Sequence, residues 1–557
     1  MTEEEGRLTR AAGVVGFFTF LSRLTGLLRD MVIGYLFGAQ GVADAYFVAF
    51  RIPNLLRRLT AEGALTVAFI PVFTNTLAKE GKEEAAKVSN IMFTFVSLLL
   101  GLITLLGIVF AEPLTRLFAP GFLGDPKKFN LTVLLTQWMF PYILLVSLVA
   151  LAMGVLNSLR HFMAPATSTV LFNLSTIACA IALSPFLKEP VLSLAYGVLF
   201  GGLAQLLFQI PYLSRHGMFP NFDFDFRHPV LGRLLYLMGP AVFGAAVYQI
   251  NVLVSTILAS LLPGGSVSYL YYADRFLEFP VGIFAIALGT AALPSFSSLV
   301  AKGDIAELRA TLTYSLRLVN FISLPATLGM IAVAIPIFAL FFQRGAFDAA
   351  TTRHTAIALI YYSLGLWGIS GTKLVVPVFY AMEDTKTPMW VGFLSFVINL
   401  FVSIVLMGEV TPDESSVWFI ASGIAKLSAQ LGVFSLAHGG LALATSISST
   451  FNFLVLLFLL HRRLEGLPLR EIFISFFRNF TNAFLTVLPL LWIAQKIDWT
   501  GGRSDDLYYL VVVFVLLVGS GISLYFAVSF VLRSPEWPLV CQLGSGLKRR
   551  LLCGKRP

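Results

Sequence analysis

What this chain lacks first is charge. Only 12% of its 557 residues are Asp, Glu, Lys or Arg, while 57% are hydrophobic and the mean hydropathy is +0.83. A soluble domain carries about 25% charged residues, so a soluble globular fold is excluded. Cysteine is scarce as well. Cys179 lies in an apolar run, Cys541 and Cys553 fall near the C-terminal end, and no metal-ligand spacing or structural disulfide is expected from them. There is no P-loop, no HExxH and no GxSxG, so nothing points to nucleotide hydrolysis, a zinc hydrolase or an activated serine. The six histidines (His161, His216, His228, His354, His438 and His461) are scattered, mostly at span ends or in loops. No catalytic residue, metal or cofactor is therefore expected. The net charge of +9 is not a nucleic-acid signal, because Arg and Lys sit mostly in short loops and at the C-terminus.

What the chain has is apolar runs of spanning length. About 20 apolar residues cross a bilayer as a helix, and only helices or closed barrels satisfy their backbone there. A barrel would show alternating segments of about ten residues. The fold class is therefore an all-α polytopic membrane protein. Fourteen spans are expected, near 12–38, 42–78, 88–111, 130–157, 163–186, 190–213, 234–261, 267–299, 308–342, 353–381, 388–408, 437–461, 471–495 and 507–532. Pro53, Pro71, Pro280, Pro294 and Pro336 supply kink positions. The start MTEEEGRLTR is too acidic for a signal peptide, so the first helix is expected to be retained.

Loop charge sets orientation. With the N-terminus in the cytoplasm, cytoplasmic loops and tails hold 21 Lys and Arg, the opposite loops hold 9, and the spans hold 9. Both termini are expected inside. The polar-to-semi-apolar stretch 409–436 suits an interfacial helix, and the terminal KRRLLCGKRP suits anionic lipid headgroups.

The chain also repeats itself. VAFIPVFTNTLAKEG (67–81) resembles TAALPSFSSLVAKGD (290–304), which places Pro71 on Pro294 and Lys79 on Lys302. Farther on, Pro165 falls on Pro388. All three offsets are 223 residues. Two parallel six-helix repeats are expected, with a substrate cleft between them and a C-terminal helix pair outside the repeat. The expected division is a cytoplasmic N-terminus (1–11), a first lobe (12–213), a cytoplasmic linker (214–233), a second lobe (234–461), helices 13 and 14 (462–532) and a basic tail (533–557).

Charge inside the spans is the functional clue, since each such residue costs about 2.5–3.5 kcal/mol even on a lenient scale. Residues 20–71 carry Arg23, Arg29, Asp30, Asp44, Arg51, Arg57, Arg58 and Glu62. Asp44, Arg51 and Arg58 are seven apart and share a helix face, and Glu62 can pair with Arg58. Arg23 and Asp30 are also seven apart. Arg29 points elsewhere in a straight helix, and a bend at Gly26 would turn it to the same cavity. Three acids do not neutralise five arginines, so internal pairing alone leaves a positive excess. A second cluster, YYADRFLEFPVGIF (271–284), holds Asp274, Arg275 and Glu278. It reads either as a closed triad or as a gate with Arg275 on the ligand. Lys373 is a lone base within a span, while Arg317 and Arg478 read as anchors near the interface. Convergent guanidinium forks suit phosphate or pyrophosphate on a lipid headgroup.

These stretches resemble a known family. SRLTGLLRD, FGA, DAYFVAFRIPNLLRRLTAEGA and FIPVF are similar to the N-terminal signature of the MurJ (MviN) lipid II flippases. YYADRFLEFPVGIFAIALGTAALPSFS and the stretch from RHTAIALIYYSLGL through VVPVFYAMEDTKTP extend the likeness over roughly residues 10–460. The family belongs to the multidrug/oligosaccharidyl-lipid/polysaccharide exporter superfamily. The resemblance implies a bacterial inner-membrane transporter, not an enzyme. It would move the undecaprenyl-pyrophosphate-linked peptidoglycan precursor to the periplasmic leaflet by alternating access, with lipid II, membrane lipids and other cell-wall proteins as partners.

It further implies cavity arginines at Arg23, Arg29, Arg57 and Arg275, and cavity or gate acids at Asp30, Asp44, Glu62, Asp274 and Glu278. Helices 13 and 14 resemble the family's tail-groove pair by order alone. Some members use a cation site with acids in helices 7 and 11. Here those spans offer Gln249, Asn251 and Asn399 and no acid. The alternatives are another lipid-linked oligosaccharide flippase or a multidrug exporter of the superfamily. A non-transporting scaffold would tolerate loss of these charges.

Overall fold

The computed structural model describes residues 3–58, 66–410, 419–500, 507–532 and 534–536. Glu62 and, apart from 534–536, the basic tail lie outside them. Among the described residues there is no strand. The first ten helices are α1 (Glu3–Phe37), α2 (Val42–Arg57), α3 (Thr66–Lys79), α4 (Lys82–Val109), α5 (Ala111–Phe118), α6 (Pro126–Met139), α7 (Tyr142–Ser158), α8 (Met163–Leu183), α9 (Leu192–Arg215) and α10 (Pro229–Ser260). Then follow α11 (Ser266–Pro280), a π-helical turn (Val281–Ile286), α12 (Ala287–Lys302), α13 (Ile305–Ala332), α14 (Ala334–Phe341), α15 (Ala349–Ser363), α16 (Leu366–Ala381), α17 (Lys386–Met407), α18 (Phe419–Leu431), α19 (His438–Arg463), α20 (Leu469–Lys496) and α21 (Leu507–Val531).

Ten described helices or helix runs are long and apolar enough to cross a membrane, and eleven if α15 and α16, bent by 43°, form one broken span. Fourteen crossings remain an expectation. Within the stretch 409–436, expected to form an interfacial helix, the structure has the helix α18; its place at an interface remains an expectation.

The 223-residue offset recurs in the helix starts: Lys82 and Ile305, Ala111 and Ala334, Pro126 and Ala349, Met163 and Lys386. A shared cap explains one of these pairs. The Asp125 side chain accepts from the Lys127 and Lys128 backbone N–H groups at the start of α6. Asp348, 223 residues on, accepts from the Thr351 N–H at 2.8 Å at the start of α15. Such caps satisfy the donors that a first helical turn leaves unpaired. The Thr351 N–H bond is also the leading reason the Asp348 carboxyl sits below its ordinary pKa.

The chain forms two compact units. One takes residues through Ser268 together with Arg344–Phe347 and Val410–Lys426. The other takes Tyr269–Gln343, Asp348–Glu409 and the chain from Leu427. In the first, α9 packs on α8 and α7, α8 also packs on α1, α2 packs on α6, and α10 packs on α3 and α5. A Cβ at Gly197 would come within 2.9 Å of the Thr176 backbone, and one at Gly201 within 2.8 Å of Phe172. Small residues let these backbones approach.

In the second unit α19 packs on α16 and α17, the counterparts of α7 and α8, and α13 packs on α20. Glu536 is fully buried beyond α21. It accepts from Arg317 Nε at 3.1 Å, from Arg478 Nη2 at 2.6 and 2.8 Å, and from Ser475 Oγ at 3.1 Å. Arg317 and Arg478, read above as interface anchors, therefore hold a carboxylate of their own chain.

Candidate functional site: ionisable groups within the spans

In the first unit the arginines of α1 differ sharply. Arg23 is exposed. Arg29 is only 6% exposed and Asp30 2%. The Arg29 guanidinium donates to Asp30 Oδ1 through Nε at 3.1 Å and Nη2 at 2.7 Å, and through Nη1 to Asn173 Oδ1 on α8 at 3.2 Å. Asn173 in turn donates to the Ser22 carbonyl and Thr25 Oγ1. α1 runs unbroken through Gly26, so Arg29 is directed toward α8 without a helix break.

On α2, Asp44 is 1% exposed and accepts four hydrogen bonds. They come from Lys128 Nζ at 2.8 Å, Gly265 N at 2.7 Å, Ser268 N at 2.9 Å and Ser268 Oγ at 2.7 Å. Lys128 also lies 3.8 Å from the Phe122 ring centroid. One turn of α2 beyond a buried aromatic run, Arg51 donates to Thr256 Oγ1 on α10 at 2.6 Å. Arg57 donates to Asn54 Oδ1 at 2.8 Å, and Arg58 is half-buried at the helix end.

In the second unit Arg275 donates to Glu278 at 3.3 Å and to the Tyr271 hydroxyl at 3.0 Å, with its guanidinium 5.2 Å from the Tyr271 ring centroid. Asp274 and Glu278 are exposed. Pro280 closes α11 and the chain enters its π-turn, an irregularity common at functional sites. Lys373 is exposed on α16. A Cβ at Gly289 would lie 2.4 Å from the Lys373 carbonyl, so α12 lies close against α16 there.

The sequence missed several of these partners. Lys128 counted as a loop charge, and Asn173, Thr256, Ser268 and Tyr271 carried no periodic signal. It also missed Tyr269, His354 and His438, whose rings pack together with His438 Nε2 bonded to the His354 carbonyl at 2.9 Å.

The family model described as "Lipid II flippase MurJ" matches residues 33–518. The chain belongs to the MurJ family. A MurJ relative, "Lipid II flippase MurJ" of Burkholderia cenocepacia, is 36% identical over 505 residues, covering 90% of this chain and 93% of the relative. "Probable lipid II flippase MurJ" of Vibrio cholerae is 35% identical over 461 residues, covering 81% and 82%. The solved "Lipid II flippase MurJ, inward closed conformation" shares the fold at a TM-score of 0.72 and 24% identity, covering 94% of this chain and 99% of that one. An inward-facing multidrug resistance MATE family transporter of the MOP superfamily shares it at 0.64 and 14% identity, covering 80% and 94%. MurJ membership makes this chain a transporter rather than an enzyme.

Proposed function

We propose that this protein is a lipid II flippase of the bacterial inner membrane. It carries the undecaprenyl-pyrophosphate-linked peptidoglycan precursor from the cytoplasmic to the periplasmic leaflet for cell-wall synthesis, with both termini in the cytoplasm. The observation that carries the reading is the match to the flippase family over residues 33–518. The excess of arginine supports it, because a pyrophosphate headgroup is what guanidinium forks bind with paired, charge-assisted hydrogen bonds.

Arg23, Arg51, Arg57, Arg58, Arg275 and Lys373 are assigned to the headgroup, each exposed or half-buried in its own unit. Arg29 serves the same region in its pair with Asp30. Asp44, Asp274 and Glu278 act as gate or positioning acids, and Glu62 is assigned with them from sequence alone.

The test is leaflet accessibility of lipid II in cells depleted of their own flippase, read by cleavage with an externally added lipid II-degrading toxin. Intact protein is expected to restore cleavage. Arg23→Ala and Arg275→Ala, at matched membrane levels, are expected not to. An intact protein that inserts and restores nothing counts against the flippase. Equal rescue by all three counts against the residue assignment.

A further inference from the structure

The segment joining α9 to α10 lies along α4. Four links hold it there. Asn221 N–H donates to Asn90 Oδ1 at 3.0 Å, and Asp223 N–H donates to Thr94 Oγ1 at 2.8 Å. Asp225 pairs with Lys87 at 2.9 Å, and His228 Nε2 lies 2.8 Å from Glu84. Glu84, Lys87, Asn90 and Thr94 recur at helical spacing and form one face of α4.

Alternation does the rest. The backbone or side chains of 221, 223 and 225 engage α4, while Phe222 and Phe224 between them are 75% and 64% exposed, and Phe226 is 41% exposed. The rings of Phe222 and Phe224 stack, and Phe226 packs edge-on against Phe95 of α4. Depth follows from helix geometry. Thr94 lies about 18 Å along the axis from the start of α4 at Lys82, within the apolar run that begins at Ile91. Beyond it α4 exposes Leu98, Leu99, Leu102, Leu105, Leu106 and Val109, as a lipid-facing helix does.

We infer that this segment is a membrane-seated strap: Phe222 and Phe224 insert into the bilayer beside α4, between headgroups and acyl chains. The occupant of this aromatic face is bilayer lipid, because the face lies at the start of the lipid-exposed side of α4, one turn before Leu98. Polar links turned inward and bare phenyl rings turned outward are the pattern of an interfacial anchor, not of a solvated linker. The inference rests on α4 as a spanning helix and is independent of which substrate is carried.

The experiment places a nitroxide at Phe222→Cys or Phe224→Cys in full-length protein whose Cys179, Cys541 and Cys553 are replaced by Ser. The protein is reconstituted in phosphatidylethanolamine–phosphatidylglycerol vesicles. Collision with oxygen, which partitions into lipid, is compared with collision with a water-soluble nickel chelate. Glu80→Cys, exposed in the turn before α4, is the aqueous reference. Both strap labels are expected to favour oxygen severalfold over the reference. Labels as open to nickel as Glu80→Cys would overturn the inference. So would labels shielded from both reagents, which would mean that protein covers the rings. Neither substitution removes a buried side chain, so folding is expected to be retained.

Discussion

Arg23 and Arg29 stand six residues apart on α1 and do different work. Arg29 and Asp30 are both buried, and deleting one partner of a buried pair costs about 3–5 kcal/mol, because the other loses its counter-charge away from water. Arg29→Ala is therefore expected to lower the thermal midpoint in detergent markedly. Arg23 is exposed, so Arg23→Ala should leave that midpoint nearly unchanged while abolishing lipid II accessibility. Scanning fluorimetry separates the two, and the reverse order of midpoints would refute the burial argument. Charge count made these residues legible, since five arginines against three acids stand out in an apolar chain. Their partners were not legible. Asp44 shares a helix face with Arg51 and Arg58 by spacing, yet it bonds Lys128, 84 residues away, and Arg51 bonds Thr256, 205 away. Periodicity reports which face a side chain occupies and carries no information about what a distant segment brings to that face.

At the level of elements, single carboxylates join separate helices. Glu536 ties the segment after α21 to Arg317 on α13 and Arg478 on α20. Glu536→Ala leaves two partly buried guanidiniums without their acceptor, and a loss of about 3 kcal/mol is expected. Glu471 is 60% exposed and 3.8 Å from the same Arg317, so Glu471→Ala should cost under about 1 kcal/mol. Equal midpoint shifts would show that burial is not what gives Glu536 its effect.

Asp384 does similar work in the turn before α17. Its carboxylate accepts from the Thr387 hydroxyl at 2.6 Å and the Thr387 N–H at 3.0 Å, and it also pairs with Arg463 at the end of α19. The Thr387 bonds first, then Arg463, hold its pKa at about 2. A carboxyl depressed from about 3.9 contributes its stability above that value and loses it as pH falls toward about 2. The midpoint gap between the native protein and Asp384→Asn should therefore stay level from neutral pH to about 5 and close below about 4. A gap that widened on acidification would contradict the assignment.

Across the whole molecule, the repeat was legible in three offsets of 223 residues, and four pairs of helix starts between Lys82 and Lys386 obey the same number. The offset fails after α17, where α18 is inserted, so α9 and α19 begin 246 residues apart. A sequence comparison anchored on prolines could not register the last pair of helices across that insertion. The break at α13–α14 was also missed, because hydropathy runs continuously through it, whereas the end of α4 falls where the third expected span ends.

Energy coupling belongs to this scale too. Gln249 on α10 is buried, and on α17 the amide of Asn399 bonds Ser448 at 3.2 Å and Thr445 at 3.4 Å on α19. Neither α10 nor α17 contains an acid. Without a carboxylate, neither helix supplies the charge that offsets dehydration of a small cation. Transport is therefore expected to be independent of sodium. Replacing sodium by choline in the lipid II accessibility assay should leave the signal unchanged. Collapsing the membrane potential, worth about 2.3 kcal/mol per charge at 100 mV, should reduce the signal if the substrate's negative charge crosses with it. A signal that vanished with sodium would instead require a cation site built without carboxylates from α10 or α17, and Asn399→Ala would be the first variant to examine.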